Sequence, residues 1–150
     1  MFSTLSRPQT EAPEQRWFSA YNKKLVTAFV DQLMVRKDLA AFDTYVAPEY
    51  HQHNPNIPDG VAGAKAALGA YLEQFPQLSV EPKRAIAEGD LLAVHSHHVY
   101  TPGERGRAVL DLFRVRGRSG RVTTLGTRAW VHVPHGHGDH WSGPAAWLRS

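Results

Sequence analysis

The sequence predicts an α+β fold in which three helices pack on a curved antiparallel sheet. Two observations predict it. Through the first half of the 150 residues, apolar side chains recur every three to four positions, whereas beyond Pro76 they alternate one by one. Turn formers then divide the second half at hairpin spacing.

The first helix spans residues 14–37, with Trp17, Tyr21, Leu25, Ala28, Phe29 and Leu33 on its buried face. Asp38 is placed to cap a second, short helix over 39–46, where Leu39, Phe42 and Val46 share a face before Pro48 stops the run. Residues 49–60 read as a loop, because His51, Asn54, Pro55, Asn56, Pro58, Asp59 and Gly60 favour turns. The third helix covers 61–75, turns Val61, Ala64, Leu68, Tyr71, Leu72 and Phe75 inward, and ends at Pro76. Strands follow at 78–80, 92–100 and 108–115, and the β-branched alternation of 121–133 completes the sheet. This gives one domain over 14–133, a flexible arm over 1–13 and a mobile tail over 134–150.

A chain of this length, 42% hydrophobic, buries a substantial core. With no cysteine, disulfides and thiol chemistry are excluded, which fits a reducing, cytoplasmic setting. The polar N-terminus lacks the apolar core of a signal peptide, and no stretch reaches membrane-spanning length, so no membrane association is expected. The isoelectric point near 9.4 rests on a formal excess of only three charges. Basic and aromatic residues do not interleave as a nucleic-acid surface requires, so no nucleic-acid partner is expected.

Alternation along 92–100 leaves two assignments. The row Ala93, His95, His97 and Val99 is polar enough to line a cavity; the row Val94, Ser96, His98 and Tyr100 would then face solvent or a partner. The strand alone does not choose between them. On the next strand Asp111 shares its face with Val109, Phe113 and Val115, the company of a carboxylate that is either a buried partner or a proton-transfer group.

The run from Tyr50 through His53-Asn54-Pro55 to Pro58-Asp59-Gly60, then Glu88-Gly89-Asp90, His95-Ser-His97 and Asp111-Leu-Phe-Arg114, resembles SnoaL-like proteins described as aldol-condensation catalysts. These are polyketide-cyclase relatives within the nuclear transport factor 2-like superfamily. The resemblance covers residues 22–116. It implies a cone-shaped α+β barrel enclosing a pocket, acid/base chemistry on a hydrophobic carbonyl substrate, no cofactor and a homodimer. By the same resemblance Asp111 is the general acid/base, His97 its neighbour across the sheet and His53 the histidine on the opposite lip. Asn54, Asp59, His95, Phe113, Trp17 and Tyr21 complete the expected substrate-binding set, although Pro-Asp-Gly is also a plain turn sequence. Abstracting a proton beside a carbonyl needs a base and a donor for the enolate oxygen, a division of labour suited to Asp and His.

Two alternatives are carried forward. One is a pocket that binds without catalysis; the other is a metal-dependent enzyme using His51, His53, His95 and His97. Relatives close the sheet with Glu-His-Trp-Asp, where this chain has Thr123-Thr-Leu-Gly126. Codons CAC-TGG-GAA for His-Trp-Glu, read one nucleotide early after an A, give ACA-CTG-GGA for Thr-Leu-Gly. We therefore expect a shifted reading frame from about residue 117, with Asp139-His140-Trp141 as a displaced copy of the motif in the alternative reading.

Overall fold

The computed structural model describes residues 12–116, 121–125 and 129–131. Expectations for the arm before residue 12, the turn at 117–120 and the tail from 132 lie outside the described residues. Three α-helices, α1 (Pro13–Val30), α2 (Ala41–Tyr45) and α3 (Gly60–Gln74), combine with six strands: β1 (Val46–Gln52), β2 (Ser79–Glu88), β3 (Leu91–Val99), β4 (Arg107–Arg116), β5 (Arg121–Leu125) and β6 (Ala129–Val131). The sheet runs in the order β1-β5-β4-β3-β2, with β6 on the same edge of β4 as β5. The α+β architecture expected from the sequence is the one observed.

The periodic stretch over 14–37 does not remain one regular helix. After Val30 it widens into a π-helical turn, Asp31–Val35, and Lys37 then adopts φ 57° to reverse the chain. Such a conformation is costly for a residue with a Cβ. It is held by the Lys37 ammonium, which donates to the Pro76 carbonyl at 2.6 Å. Asp38 acts before α2 by accepting from the Ala40 amide at 2.9 Å, an Asx turn that starts the short helix.

The buried stripe of α1 is rotated from the expected one. Ser19, Asn22, Val26, Phe29 and Val30 face the sheet, whereas Trp17 and Tyr21 are 62% and 40% exposed. The Asn22 amide donates to the Gly89 carbonyl in the β2–β3 turn at 3.2 Å, and Phe29 meets Phe113 edge-on with centroids 6.1 Å apart. The turns of α1 before Asn22 therefore overhang that end of the sheet. Trp17 and Tyr21 stack on one another there, 5.6 Å apart, and do not line the interior as expected.

Residues 46–52, most of them expected to be loop, form β1, which runs parallel to β5 with Val46 opposite Val122 and Gln52 opposite Leu125. Pro48 and Pro55 obscured it. The register shifts between Val46 and His51, and this irregularity accommodates Pro48, which has no N–H for the ladder. Beyond it Tyr50 and Gln52 are buried while His51 is exposed, the alternation of a half-buried strand. Buried Phe29, Phe42, Leu68, Leu92 and Val122 fill the space between helices and sheet, and no helix among the described residues is long and apolar enough to cross a membrane.

The β3–β4 hairpin closes through Gly106 at φ 73°, where a Cβ would collide with the His98 carbonyl oxygen. Gly106→Ala is expected to destabilise the fold by about 2 kcal/mol or more, combining backbone strain with displacement of β3. Urea unfolding of the two proteins measures it.

Candidate active site

The β3–β4 ladder sets the site. Leu92 lies opposite Phe113, Val94 opposite Asp111, Ser96 opposite Val109 and His98 opposite Arg107. Directly opposed residues share a face. Val109, Phe113 and Val115 must be buried, so β4 turns Asp111 inward with them, and the register then commits β3 to the row Leu92, Val94, Ser96 and His98.

His97 is therefore on the outer face, opposite in direction to Asp111, and the hollow expected to hold both groups is not formed. Its Nε2 lies 2.6 Å from the Arg105 carbonyl oxygen and ties the hairpin loop to β3. His95 is also on the outer row, half-buried, opposite Leu110. His53 is exposed in the loop after β1. Of the expected set, Asp111 and Phe113 remain on the inner face.

Three buried polar side chains of β3 and β4 share that face. Asp111 is 6% exposed, His98 1% and Ser96 0%. Ser96 sits one diagonal step from Asp111 across the ladder, a spacing of roughly 7–8 Å between such positions. Its hydroxyl has no hydrogen-bond partner among the described residues. A buried hydroxyl left without a partner costs about 1–3 kcal/mol. His98 lies further along, four residues from Val94, or roughly 13 Å along the strand at the usual rise.

The inner face is graded from one end to the other. Leu92, Phe113, Val115 and Phe29 make an apolar floor. Asp111 and Ser96 stand at mid-height. At the far end Tyr100 follows His98, its ring 6.5 Å away, and accepts a 2.7 Å hydrogen bond from the Tyr71 hydroxyl of α3. None of Ser96, His98, Tyr71 and Tyr100 was singled out as a site residue. For Ser96, His98 and Tyr100 the available signal was their even spacing on the strand, which became decisive only with the register of β4.

The loop residues expected to bind substrate serve the chain instead. Asp59 caps α3: its Oδ1 accepts from the Gln52 amide at 2.7 Å and the Gly60 amide at 2.8 Å, and its Oδ2 lies 3.2 Å from His51 Nδ1. Asn54 receives the Asn56 amide on its side chain at 3.0 Å and gives its own amide to Gln52 Oε1 at 3.0 Å. Gln52, buried, donates to the Tyr50 hydroxyl at 2.8 Å and so anchors this loop to the interior. The histidine set considered for a metal is divided: His51 pairs with Asp59, His53 is exposed in the loop after β1, and His95 and His97 lie on the outer sheet face. Among the described residues no three His, Asp or Glu side chains converge as a ligand group.

The Gln52 amide, then His51, then the Gly60 amide hold the Asp59 carboxyl down to about 2. A depressed carboxylate stabilises the fold above its unfolded value near 4 and ceases to do so as pH falls through the folded one. The stability advantage of the wild type over Asp59→Asn is expected to be constant above about pH 5 and to vanish between about pH 4 and 2. Thermal unfolding of both proteins across that range reads it.

The profile of the SnoaL-like domain matches residues 26–125. Among solved structures, a SnoaL-like protein of unknown function from Burkholderia thailandensis superposes with TM-score 0.63 at 20% identity, covering 75% of this chain and 97% of the other. A candidate polyketide cyclase from Acidithiobacillus ferrooxidans gives 0.61 at 21% identity over 75% and 89% of the two chains. A candidate isomerase of the SnoaL-like family from Agrobacterium tumefaciens gives 0.63 at 11% identity over 75% and 99%. No curated protein matches the chain by sequence.

Proposed function

Because this chain belongs to the SnoaL-like domain family, we propose that it is an acid–base enzyme of the cyclase or isomerase type, acting on a hydrophobic carbonyl compound bound between the helices and the inner face. The observation that carries the reading is the pairing of a buried carboxylate, Asp111, with an unsatisfied hydroxyl, Ser96, one diagonal step away. The description of similar structures as candidate cyclases and isomerases agrees with it but, at these identities, reaches no further than fold.

In this proposal Asp111 takes a proton from the carbon beside the carbonyl and the electron pair moves onto the carbonyl oxygen. The Ser96 hydroxyl donates to that oxygen as charge develops, where a low-dielectric wall of Val94, Val109 and Phe113 strengthens the bond. The enolate then either, where the substrate carries a neighbouring double bond, recovers the proton at the far end of the conjugated dienolate, an isomerisation, or attacks a second carbonyl carbon of the same substrate, which closes a ring and takes the proton from Asp111 on the new alkoxide. His98 replaces His97 as the imidazole facing the substrate. No cofactor enters these steps.

Deuterium uptake beside the carbonyl of hydrophobic ketones, followed by NMR in D₂O, tests the base. Asp111→Asn is expected to slow the uptake by about 10²-fold or more. Equal rates in the two proteins would end the proposal.

The homodimer expected from the resemblance belongs to the same reading. Ile86, Ala93 and Leu112 lie side by side across β2, β3 and β4 on the outer face, with Ile86 64% and Leu112 43% exposed. Leu112→Lys is expected to shift the protein to monomer in sedimentation equilibrium while its circular dichroism is retained; a dimer unchanged by the substitution would place the interface elsewhere.

A further inference from the structure

The first turns of α1 carry an aromatic cluster that the core does not use. Trp17 and Tyr21, one helical turn apart, stack with centroids 5.6 Å apart and planes 9° from parallel. Phe18 meets Trp17 edge-on at 5.4 Å. Trp17, Phe18 and Tyr21 are 62%, 44% and 40% exposed, although rings of this kind ordinarily lie in a core or an interface. A single apolar side chain at a surface needs no explanation, but three packed on one another form a patch of the kind that marks a contact.

Cations border the rings. Arg16, Lys23 and Lys24 are exposed on the same turns, and none of them is in an ion pair among the described residues. With 3.6 residues per turn, Lys24 projects within about 20° of Trp17, and Arg16 and Lys23 flank it at about 100° and 120°. One exposed acid, Glu14, lies a turn before the rings on their own side. The opposite side of the helix is held against the sheet through Ser19, Asn22 and Val26. Tryptophan and tyrosine rings settle at the headgroup level of a bilayer, and lysine or arginine beside them adds attraction to anionic headgroups.

We propose that this face of α1 adsorbs to an anionic lipid surface, with Trp17, Phe18 and Tyr21 at headgroup depth and Arg16, Lys23 and Lys24 on the lipid phosphates. No helix among the described residues is long and apolar enough to cross a membrane, so the contact is adsorption, a mode that spanning length and leader composition do not test. It revises the expectation that no membrane takes part. The inner sheet face is not involved, so the contact is independent of the reading of Asp111 as base.

The full chain is floated with vesicles of phosphatidylcholine alone and of equal parts phosphatidylcholine and phosphatidylglycerol. Wild type is expected to float with the mixed vesicles only and to be released as ionic strength rises. The partition coefficient is expected to fall about fivefold for each of Arg16→Gln, Lys23→Gln and Lys24→Gln, and to rise for Glu14→Gln. Trp17→Ala combined with Tyr21→Ala is expected to abolish flotation while circular dichroism is retained, because both rings lie outside the core. Brominated lipid is expected to quench tryptophan fluorescence in wild type and not in Trp17→Phe. No flotation with the anionic vesicles, equal flotation with phosphatidylcholine alone, or quenching that survives Trp17→Phe would overturn the proposal. So would a Trp17→Ala, Tyr21→Ala protein that floats like wild type but loses mass in sedimentation equilibrium, which would make this face a contact between copies of the chain.

Discussion

The pairing of β3 with β4 governs the rest of the molecule. Side chains alternate strictly along a strand, so once Val109, Phe113 and Val115 must face the helices, one register decides every neighbouring position. Placing Val94 opposite Asp111 sends Ser96 and His98 inward and His95 and His97 outward. A slip of one residue would reverse all four and would also expose Leu92 and Val94. The hydrophobic demand of two strands thus fixes the polar composition of the interior.

That composition sacrifices stability at a defined height of the sheet. Asp111 and Ser96 occupy positions where an apolar pair would pack with less desolvation cost, and the Ser96 hydroxyl receives no compensating bond from the described residues. Below them the floor is close-packed by Phe29, Leu92 and Phe113; above them the rim is aromatic and partly wet. In the proposed reaction a substrate carbonyl would accept from Ser96 and present an acidic C–H to Asp111. Across the hairpin, His97 serves geometry: its contact with the Arg105 carbonyl and the tight approach of Gly106 tie the loop to β3.

The long helices α1 and α3 and the β3–β4 hairpin were legible because each repeats its own period for two or more turns or pleats, whereas β2, read only over 78–80, runs Ser79–Glu88. Asp111 was legible for the same reason, since its apolar companions Val109, Phe113 and Val115 sit on its own strand. The orientation of β3 was not, because both of its rows mix apolar with polar residues and only the partner strand resolves them. β1 was hidden by Pro48 and by turn formers from Asn54 onward, which dominate a local reading although Tyr50 and Gln52 alternate correctly. Its partner β5 comes more than seventy residues later, a pairing no local period encodes. The exposed position of Trp17 and Tyr21 depends on where Asn22 finds Gly89, again a contact between distant segments.

The parallel union of β1 with β5, Val46 beside Val122, has a consequence for how the chain is made. A ribosome delivers β1 long before its mate exists, so the nascent protein carries an open strand edge throughout synthesis of α3 and the following hairpins. Completion waits on a contact of very long loop closure, the slowest kind to form. Whatever alters the chain beyond residue 120 therefore acts on the first strand as much as on the last, and decides whether that edge is covered or left to recruit another molecule.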